Sequence, residues 1–298
     1  MLNNKKDDIF FIVCFTLPQF ILFGIFIIYP IFSGLYYSLT SYSGLIKAPE
    51  FIGLKNFVML FTKDKYVYKG LLNTIYFLFS VSVPTMIIAM FYSTVIVRLK
   101  VKFGDYYRMI FFLPNSLSIV IITILWIFIY NPTMGFINPL LHSIGLGKFA
   151  FSWLGDKRFV HEALSITMIW PAVGFQILFY IAGIQNIPES LYESAKIDGA
   201  SELRQFFKIT LPLMSEILII SVNFFIIQAF NGTFGYVWIM TEAGPNHATE
   251  LLTTWIYQKA FRDANFGYAA SIGLFLFVIC VIFSIAFKKI MRKNTVEF

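Results

Sequence analysis

Six long stretches of this 298-residue sequence contain no Asp, Glu, Lys or Arg, and they constrain the fold more than any other feature. They occupy residues 9–46, 70–97, 109–147, 163–188, 217–241 and 264–287. Each can hold the roughly 20 apolar residues that an α-helix needs to cross a bilayer. Because unpaired backbone groups are very unfavourable in hydrocarbon, and the alternating pattern of a β-barrel is absent, the sequence predicts six transmembrane helices.

The predicted fold is therefore an all-α integral membrane protein, a single transmembrane domain over residues 1–298. The helices have approximate bounds 9–33, 71–97, 109–130, 163–184, 216–240 and 266–287. Composition agrees, since 58% of the residues are hydrophobic and 13% are charged, against about 45–50% and about 25% in soluble domains. Membrane lipid is thus the expected solvent. The formal charge of +7 does not indicate nucleic acid binding, because basic residues lie between the apolar stretches and form no stripe.

Basic residues at three places predict the orientation in the membrane. They precede the first stretch, fill the short connection after the second, and follow the sixth: Lys5, Lys6, Arg98, Lys100, Lys102, Arg108, Lys288, Lys289, Arg292 and Lys293. Cytoplasmic loops carry an excess of Lys and Arg, so both termini are expected in the cytoplasm of a multi-pass cell-membrane protein. The first stretch is longer than the ~7–15 residues of a signal-peptide core, so it is expected to be retained as a span.

The connection after the fourth stretch, residues 187–213, reads IPESLYESAKIDGASELRQFFKITLPL and is expected on the cytoplasmic side. Leu191, Ala195, Leu203, Phe206 and Phe207 recur at helical spacing and are interrupted by Gly199, a residue type that tolerates positive φ and ends helices. The pattern predicts two short amphipathic helices joined by a turn. Their apolar face either packs on the same chain or docks into a soluble partner.

This hairpin resembles the EAA loop of binding-protein-dependent ABC importer permeases, whose pattern is E-A-A-x3-G-x9-I-x-L-P. The matching residues are Glu193, Ala195, Gly199, Ile209, Leu211 and Pro212, and Ser194 replaces the second Ala of the pattern. Residues 51–57, 111–114, 131–135, 153–156 and 241–245 are similar to segments of the carbohydrate-uptake branch, which includes maltose, glycerol-phosphate and oligosaccharide permeases. The resemblance extends over most of the chain.

The resemblance implies a type I ABC importer fold in which a separate ATPase dimer docks on the EAA loop. It places the coupling contact at Glu193, Ser194, Ala195, Asp198, Gly199 and Ala200. It also implies a second permease subunit, related or identical, and an extracellular solute-binding protein. ATP and Mg²⁺ are expected on the ATPase, because residues 145–148 lack the first glycine and the hydroxyl of a phosphate-binding loop. We expect no catalytic, cofactor or metal site in this chain, which is not predicted to be an enzyme.

For the transported solute, the resemblance gives only a region, the facing surfaces of the fourth and fifth helices. The candidate residues there are Trp170, Gln176, Tyr180, Gln228, Asn231, Thr233 and Tyr236. Amides pair with sugar hydroxyls, and aromatic rings cover the apolar faces of pyranose rings. The alternative for each residue is interhelical bridging, which polar side chains commonly provide in membranes.

Two other functions stay open at this point. Import of glycerol phosphate or another polar solute would use the same architecture, but an anion favours cationic groups in the path, and helices four and five have no Lys or Arg at membrane depth. A polytopic membrane enzyme would need paired carboxylates or a His and Asp constellation at the membrane face, and the sequence has none. A neutral sugar or oligosaccharide is therefore the favoured substrate.

Overall fold

The computed structural model describes residues 5–44, 48–99 and 101–292, which form helices and one isolated β-bridge between Thr40 and Phe51. Within these described ranges, five helices are long and apolar enough to cross a membrane, and there are six spans when a bent pair of helices meeting at 94° is counted as one. Numbered along the chain, spans 1 to 6 are Ile12–Ser38, Lys65–Arg98, the pair Gly104–Ser116 and Ile119–Ile129, Val160–Gln185, Ser215–Thr241, and Phe266–Lys289. The all-α fold with six apolar spans is confirmed.

Shorter helices occupy the connections. They are Lys55–Thr62 before span 2, Ile137–Ser143 before span 4, and Leu252–Tyr257 with its continuation Gln258–Arg262 before span 6. Residues 187–213 contain Glu189–Ile197 and then Glu202–Gln205, Phe206–Thr210 and Leu211–Leu213, which follow one another directly.

The predicted span over 109–130 is not one continuous helix. Span 3 breaks at Leu113–Ser116, a 3₁₀ turn that contains Pro114, and Leu117 is extended with ψ 146°. Proline has no N–H to donate and disfavours a helix through its own position. The Ser118 hydroxyl then accepts a hydrogen bond from the Ile121 N–H at 3.4 Å and caps the second helix. Hydropathy shows that residues 109–130 are apolar and does not show this break.

The N-terminal ends of two other helices differ from the predicted bounds. Span 1 belongs to a helix that runs from Lys5 to Ser38 through a wide π turn at Gly24–Ile28, whereas the sequence predicts 9–33. Span 2 begins at Lys65, several residues before the predicted start at 71. In both cases the helix extends beyond the apolar stretch, because hydropathy marks the segment suited to lipid and backbone hydrogen bonds set where a helix ends.

The chain divides into two compact units, the first of which contains residues up to 65 and residues 255–277. Here the Asp64 carboxylate accepts hydrogen bonds from the Trp255 indole N–H and the Tyr268 hydroxyl, both at 2.7 Å. The Asn56 amide donates to the carbonyls of Ser38 and Thr40, at 2.9 Å each. These bonds join the end of span 1, the helix Lys55–Thr62 and the start of span 6.

The second unit, residues 66–254 and from 278 onward, contains spans 2 to 5 and both candidate sites described below. Span 4 is its most buried helix and contributes to both apolar cores of the unit. At Gly174, span 4 lies so close to the first half of span 3 that an added Cβ would overlap the Phe111 carbonyl oxygen. Small residues permit this close backbone approach between membrane helices.

Candidate functional site

The hairpin of residues 187–213 turns at Gly199, which adopts the left-handed backbone conformation just after the first helix ends. Gly199 has φ +74°, its N–H donates to the Lys196 carbonyl at 3.0 Å, and the Ala200 N–H donates to the Ala195 carbonyl at 2.9 Å. This pair of bonds is the Schellman motif, which satisfies the last carbonyls of a helix and favours glycine. The Ser201 hydroxyl then caps the next helix by accepting from the Arg204 N–H at 3.3 Å.

The hairpin is anchored to the end of span 2 by buried polar and cationic contacts. Tyr192 is buried, and its hydroxyl lies 2.9 Å from the Thr210 hydroxyl on the second hairpin helix. The Arg98 guanidinium stacks over the Tyr192 ring at 3.4 Å and bonds the Glu189 carboxylate at 2.8 Å. Tyr192 and Arg98 were not predicted to be anchors. The available signal was Tyr192 itself, since a large aromatic ring in a short amphipathic helix usually packs against a neighbouring element.

The six predicted coupling residues lie on the part of the hairpin that faces away from the chain. Glu193, Ser194, Asp198 and Gly199 are exposed, while Ala195 and Ala200 are partly buried. Apolar side chains are exposed beside them, with Ile197 at 87% and Leu203 at 69%, together with Leu191 and Phe207. Exposed apolar side chains flanked by polar residues are typical of an interaction site.

A cavity of about 350 Å³ opens between spans 2, 4 and 5 and the bend of span 3. It is lined by Phe77, Leu78, Val81, Asn115, Met168, Pro171, Ala172, Phe175, Gln176, Phe224, Phe225, Gln228, Ala229, Gly232, Thr233 and Tyr236. The lining combines three side-chain amides with five aromatic rings and contains no charged residue. Its volume falls in the range of small-molecule sites, about 300–1,000 Å³.

Four of the seven residues predicted for the solute path line this cavity, namely Gln176, Gln228, Thr233 and Tyr236. The other three do not. Tyr180 is fully buried in an apolar core, Asn231 is exposed elsewhere on span 5, and Trp170 packs edge-on against Trp126 with ring centroids 6.0 Å apart.

The cavity also contains residues that the sequence analysis missed, Asn115 from the break in span 3 and Phe77 from span 2. Non-helical backbone at membrane depth is tolerated where it lines a cavity or is buried in protein. The Leu-Pro-Asn-Ser sequence inside an apolar stretch was therefore a usable signal for Asn115.

The polar groups of the cavity are unequally satisfied within the chain. Gln176 is 1% exposed, its carbonyl oxygen accepts from the Ser221 hydroxyl at 3.2 Å, and its amide nitrogen has no hydrogen-bond partner within the described ranges. The Thr233 hydroxyl bonds the Ala229 carbonyl of its own helix at 3.1 Å. The Gln228 amide oxygen occupies the space where a side chain at position 232 would lie. Gly232 allows this because an added Cβ would overlap that oxygen. Gln176 therefore keeps an unpaired amide donor, and the Gln228 amide lies against the backbone at Gly232.

Comparison with known proteins identifies the family. The model of the binding-protein-dependent transport system inner membrane component matches residues 65–295. The chain belongs to this family. It is thus a membrane permease of an ABC transporter, and the predicted resemblance is confirmed.

Relatives of this permease cover nearly its whole length. The probable ABC transporter permease YurN of Bacillus subtilis is 35% identical over 95% of this chain and 96% of its own. The diacetylchitobiose uptake system permease NgcF of Streptomyces coelicolor is 29% identical over 93% of this chain and 81% of its own. The sn-glycerol-3-phosphate transport system permease UgpA of Shigella flexneri is 31% identical over 93% of this chain and 92% of its own.

Solved structures confirm the fold of the permease. A chain of a bacterial alginate ABC transporter, in complex with an alginate pentasaccharide-bound periplasmic protein, aligns over 99% of this chain and 98% of its own with a TM-score of 0.86 at 23% identity. A chain of the MetNI methionine ABC transporter aligns over 81% of this chain and 99% of its own with a TM-score of 0.51 at 17% identity. The permease therefore has the type I ABC importer fold.

Proposed function

We propose that this permease forms half of the translocation path for a neutral sugar or oligosaccharide that an extracellular binding protein delivers. The observation that carries the proposal is the lining of the cavity, which combines amides and aromatic rings without a charged residue. Amides can donate to and accept from sugar hydroxyls, and rings can cover the apolar faces of pyranoses. The name of the relative from Streptomyces coelicolor, a diacetylchitobiose uptake permease, supports this substrate class.

Glycerol phosphate is the second candidate substrate, favoured by the names of several relatives. A phosphate dianion would be bound best by cationic groups, and the lining residues of the cavity include no Lys or Arg. The two candidates separate in vesicles that contain the complete importer and its binding protein. We expect neutral oligosaccharides to stimulate ATP hydrolysis, and stimulation by sn-glycerol-3-phosphate alone would overturn the proposal.

The remaining subunits follow from the proposed mechanism. An ATPase dimer would bind ATP and Mg²⁺ and would cover the exposed apolar side chains of the first hairpin helix, Leu191 and Ile197. Glu193, Ser194, Ala195, Asp198, Gly199 and Ala200 would make the coupling contact. A second permease, different or identical, would supply the other half of the path. Closure of the ATPase dimer would move the two permeases between inward-facing and outward-facing states. The change is driven because nucleotide binds the importer with different affinity in the two states.

The cavity gives a prediction with a matched control on the same π turn of span 5, Gln228–Gly232. Gln228→Leu removes an amide that lines the cavity, whereas Asn231→Leu removes an exposed amide that does not. Losing a hydrogen bond to a neutral solute costs about 0.5–1.5 kcal/mol. We expect uptake to be severalfold lower at limiting solute in Gln228→Leu and near normal in Asn231→Leu. Equal effects of the two variants would show that the cavity is not the path.

The topology gives a second prediction. If the hairpin contacts a cytoplasmic ATPase, both termini are cytoplasmic, and the connections between spans that contain Leu60 and Ala150 lie outside. Reporter fusions after these two residues should report the outside, and a control fusion after Lys102 should report the cytoplasm. A cytoplasmic signal from either of the first two fusions would contradict the proposed orientation.

A further inference from the structure

A second cavity, of about 640 Å³, lies beside the hairpin and away from the proposed solute path. Its walls are the second half of span 2, the second hairpin helix and the start of span 5. Most of the side chains that line it are apolar, and the polar ones, which include Thr94, Arg98, Glu202 and Gln205, are concentrated toward the end of span 2 and on the hairpin.

Three residues of this lining each have one buried polar atom without a hydrogen-bond partner in the described part of the chain: Thr94 Oγ1, Arg98 Nε and Gln205 Oε1. The Arg98 side chain is only 8% exposed, and its Nη1 donates to the Glu189 carboxylate at 2.8 Å. This leaves the Arg98 Nε as a free donor. Gln205 is 2% exposed, and its amide nitrogen donates to the Ala200 carbonyl at 2.9 Å, which leaves Oε1 as an acceptor. Buried polar groups of this kind normally have partners.

These atoms specify the chemistry of a ligand. Arg98 Nε requires an acceptor and favours an anionic one, Thr94 Oγ1 pairs with either kind of group, and Gln205 Oε1 requires a donor. Glu202 also borders the cavity, but the Lys196 ammonium lies 3.8 Å from its carboxylate. The ligand must also carry hydrocarbon, because most of the wall is apolar. A phosphate with hydroxyl groups nearby and an attached acyl chain meets all of these requirements.

The position of the cavity fits a lipid rather than a soluble molecule. Arg98 is the last residue of span 2, where a transmembrane helix reaches the headgroup region, and Lys102 and Arg108 follow it. Toward the middle of the span, Ile87 and Phe91 line the cavity and are 65% and 61% exposed. The apolar part of the cavity is thus at the depth of acyl chains, and the unpartnered polar atoms are at the depth of headgroups.

We propose that this cavity binds one anionic phospholipid of the phosphatidylglycerol type, with its phosphate at Arg98 and Thr94 and a headgroup hydroxyl at Gln205. The lipid would bridge span 2 and the hairpin and hold the hairpin in position. The lipid would belong to the cytoplasmic leaflet, and that placement rests on the proposed function, which puts the hairpin on the cytoplasmic side. Lipid binding itself does not, because it is measured without uptake or ATP hydrolysis.

The test measures phospholipid retained by the full-length protein, purified in detergent, after washing with phosphatidylglycerol or phosphatidylcholine. Arg98→Gln should retain roughly tenfold less phosphatidylglycerol than the unchanged protein, as expected when a charge-assisted bond is lost. Arg108→Gln is the matched control, since it removes a nearby arginine that does not line the cavity. Thr94→Phe should also reduce retention, because it fills the cavity while the Arg98 and Glu189 pair stays intact.

Several results would overturn the proposal. They are equal losses in Arg98→Gln and Arg108→Gln, full retention in Thr94→Phe, equal retention of the two lipids, or displacement of the lipid by inorganic phosphate. Crosslinking of a probe at residue 94 to a second permease instead of lipid would also overturn it, by showing that protein fills the cavity. Thermal unfolding of each variant establishes that it is folded, and uptake is measured separately to test the proposed function.

Discussion

Replacing Gly199 with aspartate is expected to abolish uptake while the permease still inserts in the membrane. Gly199 has φ +74°, and an added Cβ would meet no atom of this chain within 4 Å. The substitution therefore costs on the order of 1 kcal/mol of backbone strain and creates no clash inside the permease. The larger effect is expected in the docked complex, where the new carboxylate would enter the contact between the hairpin and the ATPase.

Two matched variants separate strain from loss of docking. Gly145→Asp places the same side chain at φ +77°, also with no atom within 4 Å, on a loop outside the hairpin. It carries similar strain and should transport normally. Gly199→Asn has nearly the same size as Gly199→Asp and tolerates a positive φ, so a milder loss would assign most of the effect to charge.

The measurements are the number of ATPase subunits per purified permease, the stimulation of ATP hydrolysis by loaded binding protein, and uptake into vesicles. Gly199→Asp should have fewer bound ATPase subunits or unstimulated hydrolysis. If it keeps full stoichiometry, normal stimulation and normal uptake, the hairpin is a surface element and the proposed coupling is wrong.

The fold could be predicted from the sequence to the extent that it depends on hydrophobicity. Uncharged stretches fix the number of spans, because lipid tolerates few charges and requires closed backbone hydrogen bonding. The break at Pro114 was not predicted, since Leu113, Ile119 and their neighbours are equally apolar on both sides of it. A bent span and a straight span have the same hydropathy.

More of the hairpin than of the cavity could be predicted from the sequence. The hairpin is local, so its spacing and Gly199 were enough to predict two helices and a turn. The cavity is formed by four spans, and a residue of these spans lines it only if its side chain faces inward. Gln228 and Asn231 are three residues apart on one π turn, yet only Gln228 lines the cavity. Two amides on one helix have similar hydropathy, so only the packing of the spans shows which of them lines the cavity.

Replacing Gly174 with alanine is the second change with a large expected effect. An added Cβ would overlap the Phe111 carbonyl oxygen and would lie 2.6 Å from its carbonyl carbon and 2.9 Å from the Phe112 Cα. All three atoms belong to the backbone, so no side chain can rotate away and the two helices must separate. Overpacking of this kind costs about 1–3 kcal/mol or more, which exceeds the ~0.5–1 kcal/mol that alanine gains over glycine within a helix.

Two further glycines provide a graded control for Gly174→Ala. At Gly183 of the same span, the nearest atoms are side-chain ends of Ile217 and Met214, which can shift, and at Gly34 of span 1 nothing lies within 4 Å. The free energy of unfolding in detergent should therefore fall most for Gly174→Ala, less for Gly183→Ala, and stay equal or rise for Gly34→Ala.

Uptake should follow the same order for a structural reason. Phe111 and Phe112 lead directly into the turn that carries Asn115, and Gln176 lies two residues after Gly174. Separating spans 3 and 4 therefore moves two amides of the cavity apart, and Gly174→Ala should impair uptake even at temperatures where the variant is folded. If Gly174→Ala is as stable and as active as Gly34→Ala, the close approach of spans 3 and 4 does not set the geometry of the cavity.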